Sequence, residues 1–345
     1  MDDREFFPEE RMEMPQCDES FASVPVRPVH PLRREANAQG GALLIYHLIM
    51  NFTVFSVVLV TSFAKALSQA IGSDMGMEEL IASVLDASGW AYILSVAIGF
   101  VVLLLWKKPR YIAGTIFQKG RPMGVATFFV LLSFAMSAQM IGQLCNLGLE
   151  WILNLLEGDT SALQQMGVAD TSGLAMFLYV GIIAPISEEV LFRGLVLRSL
   201  APYGKKLAIF ASAILFGLYH GNLIQTPYAF AVGLVLGYVA LEYHVIWAIA
   251  IHTFNNLVFA TWLPDALSFL PVPIVDMILW AVIIAFFLVA MLVLLVKREQ
   301  IVTRWQEEKV ETWQRHLVFR APTIVVLIVV CLLNIGVSTL LLFLS

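Results

Sequence analysis

The sequence predicts an all-α fold, a polytopic transmembrane helical bundle of about eight or nine spans. Composition carries the first part of this reading. Of 345 residues, 59% are hydrophobic and 14% charged, and the mean hydropathy is +0.81. A soluble globular domain carries roughly 25% charged residues, so this chain has too little polar surface to enclose a core in water. Apolar runs carry the second part. They recur at 42–67, 89–106, 124–155, 173–198, 206–221, 228–243, 245–263, 275–296 and 321–344. Most approach the roughly 20 residues that cross the hydrocarbon layer as helix. Lipid offers no partner for backbone N–H and C=O groups, so each run must bond internally as helix. The runs at 206–221 and 228–243 are short, which leaves eight spans as the alternative to nine.

The ends and loops divide the chain. Residues 1–40 are polar, contain five prolines and lack a basic start followed by an apolar run. They read as a disordered cytosolic tail, not a signal peptide. Residues 41–170 form amino-terminal membrane helices, 171–263 a central set that carries the polar motifs, and 264–345 a carboxy-terminal set. Within the last, 297–320 (KREQIVTRWQEEKVETWQRHLVFR) repeats apolar residues at three and four, as an amphipathic surface helix does. A solvated linker helix explains it equally. GLVLG (Gly233 to Gly237) gives one helix face of small residues suited to close packing. Cys17, Cys145 and Cys331 are too scattered for a disulfide framework or a metal knuckle.

The net charge of −5 says little, because Lys and Arg placement governs orientation. With the amino terminus inside, the cytoplasmic segments hold Arg33, Arg34, Lys107 to Arg110, Lys119 to Arg121, Lys205, Lys206 and 297–320. The outer loops hold Asp74, Glu78, Glu79, Asp86, Glu157, Asp159, Asp170, Asp265 and Asp276, and only Lys65 falls on the wrong side. A multi-pass cell-membrane protein with a cytoplasmic amino terminus is expected, in contact with lipid and with no nucleic-acid partner.

Ionisable residues inside spans cost a few kcal/mol on insertion scales and usually face protein or a wet cavity. Three groups stand out. In EEVLFR, Glu189 and Arg193 lie four apart on one helix face and can neutralise each other, while Glu188 points about 100° away with no partner in its own segment. Pro185 starts or kinks this helical portion. In FGLYH, His220 follows Phe216 by four residues, and in HTFNN, His252 and Asn256 share a face while Asn255 points elsewhere. An interfacial ion pair, a capped helix end and interhelical packing explain the three groups separately. At about 1.5 Å per residue, four of these residues fall some 8–18 Å from the cytoplasmic helix ends, with His220 deepest at about 20–25 Å. One polar site in the cytoplasmic half would unite them.

Such a set suits water activation. A desolvated Glu is a better general base, His shares the water, and further His and Asn groups can donate to an oxyanion. Glu plus two His is also an ordinary zinc ligand set, so Glu188, His220 and His252 can instead hold a divalent metal. The chain has no H-E-x-x-H and no G-x-S-x-G.

In order, EEVLFR, FGLYH and HTFNN resemble the E-E-x-x-x-R, F-x-x-x-H and H-x-x-x-N/B motifs of the CPBP family. That family comprises CAAX prenyl proteases of the second type and bacteriocin-processing or Abi-like membrane proteins. The resemblance covers 173–260. It implies an intramembrane endopeptidase with a cavity open to the cytosol. Glu188 would activate water with His220, His252 and Asn256 would form the oxyanion hole, Glu189 would assist, and Arg193, with Phe216 alongside, would support the carboxylates. It implies a membrane-associated peptide or protein substrate, prenylated or plain. Two alternatives stay open: a non-catalytic immunity or scaffold protein of the same family, and a proton-coupled transporter. No inverted repeat favours the transporter.

Overall fold

The computed structural model describes residues 30–70, 77–107, 114, 116–118, 120–155, 173–307 and 309–344. Among them every regular element is helical. In chain order these are α1 (Pro31–Ala70), α2 (Met77–Lys107), α3 (Val125–Ser137), α4 (Gln139–Leu155), α5 (Leu174–Tyr203), α6 (Lys205–Tyr219), α7 (Gln225–Glu242), α8 (Val245–Ala266), α9 (Val272–Glu307), α10 (Thr312–Phe319) and α11 (Pro322–Leu344). α3 and α4 form one span with a break at Ala138.

Among the described residues, seven helices are long and apolar enough to cross a membrane, against the eight or nine spans expected. The fifth and sixth apolar runs are the difference: α6 has 15 residues, and α7 has 18 with polar residues at both ends. They pack against each other through the small-residue face of α7. A Cβ on Gly233 would lie 3.1 Å from the Ala213 Cα, and one on Gly237 would lie 3.3 Å from Ile209. Gly233→Leu must therefore push α6 away, at about 1–3 kcal/mol. A lowered thermal midpoint in detergent is expected. An unchanged midpoint would contradict this packing.

Two further sequence assignments shift. Residues 31–40, assigned to the disordered tail, are the first turns of α1, with Leu32, Ala36 and Gln39 buried. Residues 1–29 of that tail lie outside the described residues. Segment 297–320 is not one surface helix. α9 continues through Glu307, and α10 starts afresh behind a reciprocal cap in which Glu311 and Gln314 satisfy each other's backbone N–H groups.

Side-chain contacts gather the basic segments at one end of the bundle. Lys205 Nζ lies 2.7 Å and Arg121 3.5 Å from the Glu242 carboxylate. Arg198 donates to the Gln118 and Ala240 carbonyls. Gln314 Nε2 donates to the Tyr203 carbonyl at 2.8 Å, Thr323 Oγ1 to the Asn37 carbonyl at 2.8 Å, and the His30 ring meets Trp313. Deeper in, Gln39 Nε2 donates to Ser199 Oγ at 2.9 Å, tying α1 to α5. The opposite end carries the α6–α7 turn, where Ser338 of α11 donates to the Gly221 carbonyl.

Candidate active site

α5 is not a uniform α-helix. Wider π-helical turns occupy Tyr179–Ile183 and Glu189–Leu197, flanking the α-helical stretch Ala184–Glu188. Pro185 has no N–H to donate one turn back, and the wide turn ahead of it accommodates the loss. α8 likewise turns π-helical at Phe254–Trp262. The two wide regions meet where Gly181 abuts Leu257, at 2.7 Å from the Cβ that Gly181 lacks.

Glu189 and Arg193 are both fully buried and 3.1 Å apart. The same carboxylate oxygen, Glu189 Oε1, accepts from His252 Nδ1 at 2.9 Å. The Arg193 guanidinium also lies 4.1 Å above the Phe216 ring, a cation–π contact that offsets part of its desolvation. Phe216 stands edge-on to both His220 and His252, with centroids at 4.8 and 5.7 Å. Arg193, Glu189, Phe216 and His252 thus form one dry cluster.

Glu188 lies on the wet side of it. Its side chain is 21% exposed, and Oε2 is 3.7 Å from His252 Nε2. With His220 it lines a cavity of about 630 Å3 between α1, α2, α5, α6, α7 and α11. His220 caps α6, where Gly221 ends the helix at a φ of +68°. Its Nδ1 is 2.8 Å from the Phe216 carbonyl oxygen. A carbonyl only accepts, so Nδ1 carries the proton, and the neutral ring keeps its free lone pair on Nε2.

The motif residues therefore fall into two groups. Glu188 and His220 share the cavity; His252 and Asn256 do not line it. Asn256 Nδ2 donates to the Val180 carbonyl at 3.2 Å, and its Oδ1 accepts from Asn255 Nδ2 at 2.9 Å. Asn255, which an α-helical register points elsewhere, is 4% exposed and accepts from Gln139 of α4. The π-helical turn changes the angle between successive residues and brings both amides to one side. The site also differs in depth from expectation. The cavity reaches Gly221 and Gln225, at the end opposite the basic segments, not only the basic half.

α1 and α11 add groups that the motifs do not include. Tyr46, His47 and Asn51 of α1 and Asn334 of α11 line the cavity. Asn334 Nδ2 donates to His47 Nε2 at 3.1 Å. The filter that singled out His252, polarity within a span, applies equally to His47 and Asn334. Tyr179 and Ser187 join them from α5.

Residues 170–258 match the family model described as type II CAAX prenyl endopeptidase, Rce1-like. The match runs from the start of α5 into the wide turn of α8 and contains Glu188, Glu189, Arg193, His220, His252 and Asn256. It supports the CPBP-family reading of the three motifs and, at the level of class, an intramembrane protease of the CAAX type. No curated protein and no solved structure matches the chain.

Among the described residues, no group of three or more His, Cys, Asp and Glu side chains is arranged to hold a metal ion. In Glu188, His220 and His252, the last has Nδ1 on Glu189 and Nε2 facing Glu188. A carboxylate on Nδ1 leaves Nε2 its lone pair, as in metal-ligating histidines, but His252 does not line the cavity that Glu188 and His220 share, so the three are not gathered as one ligand set.

Proposed function

We propose that this protein is a glutamate-type intramembrane endopeptidase that hydrolyses membrane-associated peptides or proteins, with Glu188 and His220 activating the water. The observation that carries this reading is the pair itself: a partly exposed carboxylate and a histidine with its lone pair on Nε2, lining one cavity inside the bundle. A water between them loses a proton to Glu188 as its oxygen attacks the scissile carbonyl carbon. The tetrahedral oxyanion then collapses, the C–N bond breaks, and Glu188 returns the proton to the leaving amine. The products are a carboxylic acid and an amine, whose remaining proton exchange leaves a carboxylate and an ammonium, and no covalent enzyme intermediate forms.

Glu189 supports the reaction from behind. Held by Arg193, it accepts a hydrogen bond from His252 Nδ1 and fixes that ring beside Glu188. The gathering of basic segments at one end of the bundle supports a cytoplasmic amino terminus. The test uses purified protein in nanodiscs and quenched peptides, both plain and ending in a prenylated CAAX sequence. Wild type is expected to cleave at a rate unchanged by 1,10-phenanthroline, and His220→Gln to lose about 10²–10⁴-fold. Cleavage abolished by the chelator would overturn the glutamate assignment, and full activity in His220→Gln would overturn the site.

A further inference from the structure

We propose that Tyr46 of α1 is a catalytic residue whose hydroxyl donates to the oxyanion formed at the scissile carbonyl. The proposal rests on the reading of Glu188 as the base, and it extends the site to a helix outside the matched segment.

Tyr46 is 2% exposed, and it lines the cavity that Glu188 and His220 share. Tyr46 shares this lining with Ser187 and Glu188, and its hydroxyl makes no well-formed hydrogen bond among the described residues. The Ser187 hydroxyl donates to the Ala184 carbonyl at 2.9 Å, so it can meet Tyr46 only as an acceptor, and it does not do so in hydrogen-bond geometry. A buried donor without a partner calls for an explanation, and beside a catalytic base a substrate oxygen supplies one. Depth agrees. Tyr46 lies 15 residues from the start of α1 and Glu188 lies 15 from the end of α5, so each sits about 22 Å from the basic end.

The ring is fixed in place. It meets Phe100 of α2 edge-on at 6.0 Å. Its Cε2 would be 2.5 Å from a Cβ on Gly99, so only glycine there admits it. A donor held this way needs no reorganisation when charge develops on the carbonyl oxygen. Donors of the third motif are otherwise engaged: Asn256 Nδ2 on the Val180 carbonyl and His252 Nδ1 on Glu189. Tyr219 presents a second unpartnered hydroxyl in the cavity. Its ring stands edge-on to His47 and Phe192, with centroids at 4.8 and 5.3 Å. In the reaction the Tyr46 proton stays on its own oxygen and strengthens its hydrogen bond as the carbonyl becomes tetrahedral. It relaxes when the C–N bond breaks.

Tyr46→Phe removes the hydroxyl and keeps the ring packing, so it separates chemistry from folding. In the full chain in nanodiscs, kcat is expected to fall about 10²-fold, with KM within about threefold and an unchanged thermal midpoint. A peptide phosphinate, which mimics the tetrahedral anion, should lose affinity in Tyr46→Phe while its amide counterpart does not. This arm reads the hydroxyl without turnover. Equal phosphinate affinity in the two proteins, or kcat within threefold of wild type, would overturn the proposal. Glu188→Gln is measured in parallel. If it is inactive while Tyr46→Phe is fully active, only the tyrosine assignment fails. If it is fully active, the reading beneath it fails as well.

Discussion

Arg193→Leu is expected to abolish the stable fold. Its guanidinium is fully buried, and so is the carboxylate it serves. Removing the cation leaves Glu189 ionised in a low-dielectric interior with only the His252 N–H as donor. Breaking one partner of a buried pair costs about 3–5 kcal/mol, a large share of the 5–15 kcal/mol that a typical domain has. Phe216 loses its cation–π contact in the same step. The measurement is the thermal midpoint in detergent, with size exclusion to follow aggregation. A second variant isolates the electrostatic cause: Glu189→Gln combined with Arg193→Leu removes both charges and should recover much of the loss. A double mutant no better than Arg193→Leu would point to packing instead. A single mutant with the midpoint of wild type would show that the pair does not hold the fold.

That pair was legible in the sequence because it is local. Glu189 and Arg193 sit one helical turn apart, and an i, i+4 spacing survives even where the helix widens. The long-range part was less accessible. Nothing periodic links Tyr46 with Glu188, which lie on helices far apart in sequence and meet only through tertiary packing. Motif order united Glu188 with His220, whereas helix rise separated them in depth, because rise along each run ignores how a short helix such as α6 sits in the bundle. The wide turns in α5 and α8 were invisible to a 3.6-residue period, and they explain why Asn255 joins Asn256. The start of α1 was different, since its signal was present. Leu32, Ala36, Gln39, Leu43 and Tyr46 recur at four and three and are all buried, the stripe of a packed helix. The intervening charges, Arg33, Arg34 and Glu35, hid it from a reading by average polarity. Glu311 and Gln314 similarly carried the spacing of a helix start, inside a segment whose apolar recurrence suggested continuity.

Glu188→Gln is expected to give the opposite phenotype to Arg193→Leu: a normal fold and an activity reduced by about 10³-fold or more, the upper part of the range for general acid–base catalysis. The side chain is isosteric, and the Arg193–Glu189–His252 chain of contacts remains complete without it. Because Glu188 is partly exposed and forms no ion pair with a buried Lys or Arg among the described residues, neutralising it strands no charge, so the thermal midpoint should move by no more than a few degrees. The amide cannot take a proton from water at neutral pH, so the loss belongs in kcat more than in KM. Glu189→Gln provides the contrast, since it leaves Arg193 as an unpaired buried cation and should reduce stability first. Measuring midpoint and kcat for all three variants separates two adjacent carboxylates into a structural one and a chemical one. If Glu188→Gln kept a tenth or more of wild-type kcat, Glu188 would not be the base. If it unfolded as readily as Arg193→Leu, the division of labour inferred from burial would be wrong.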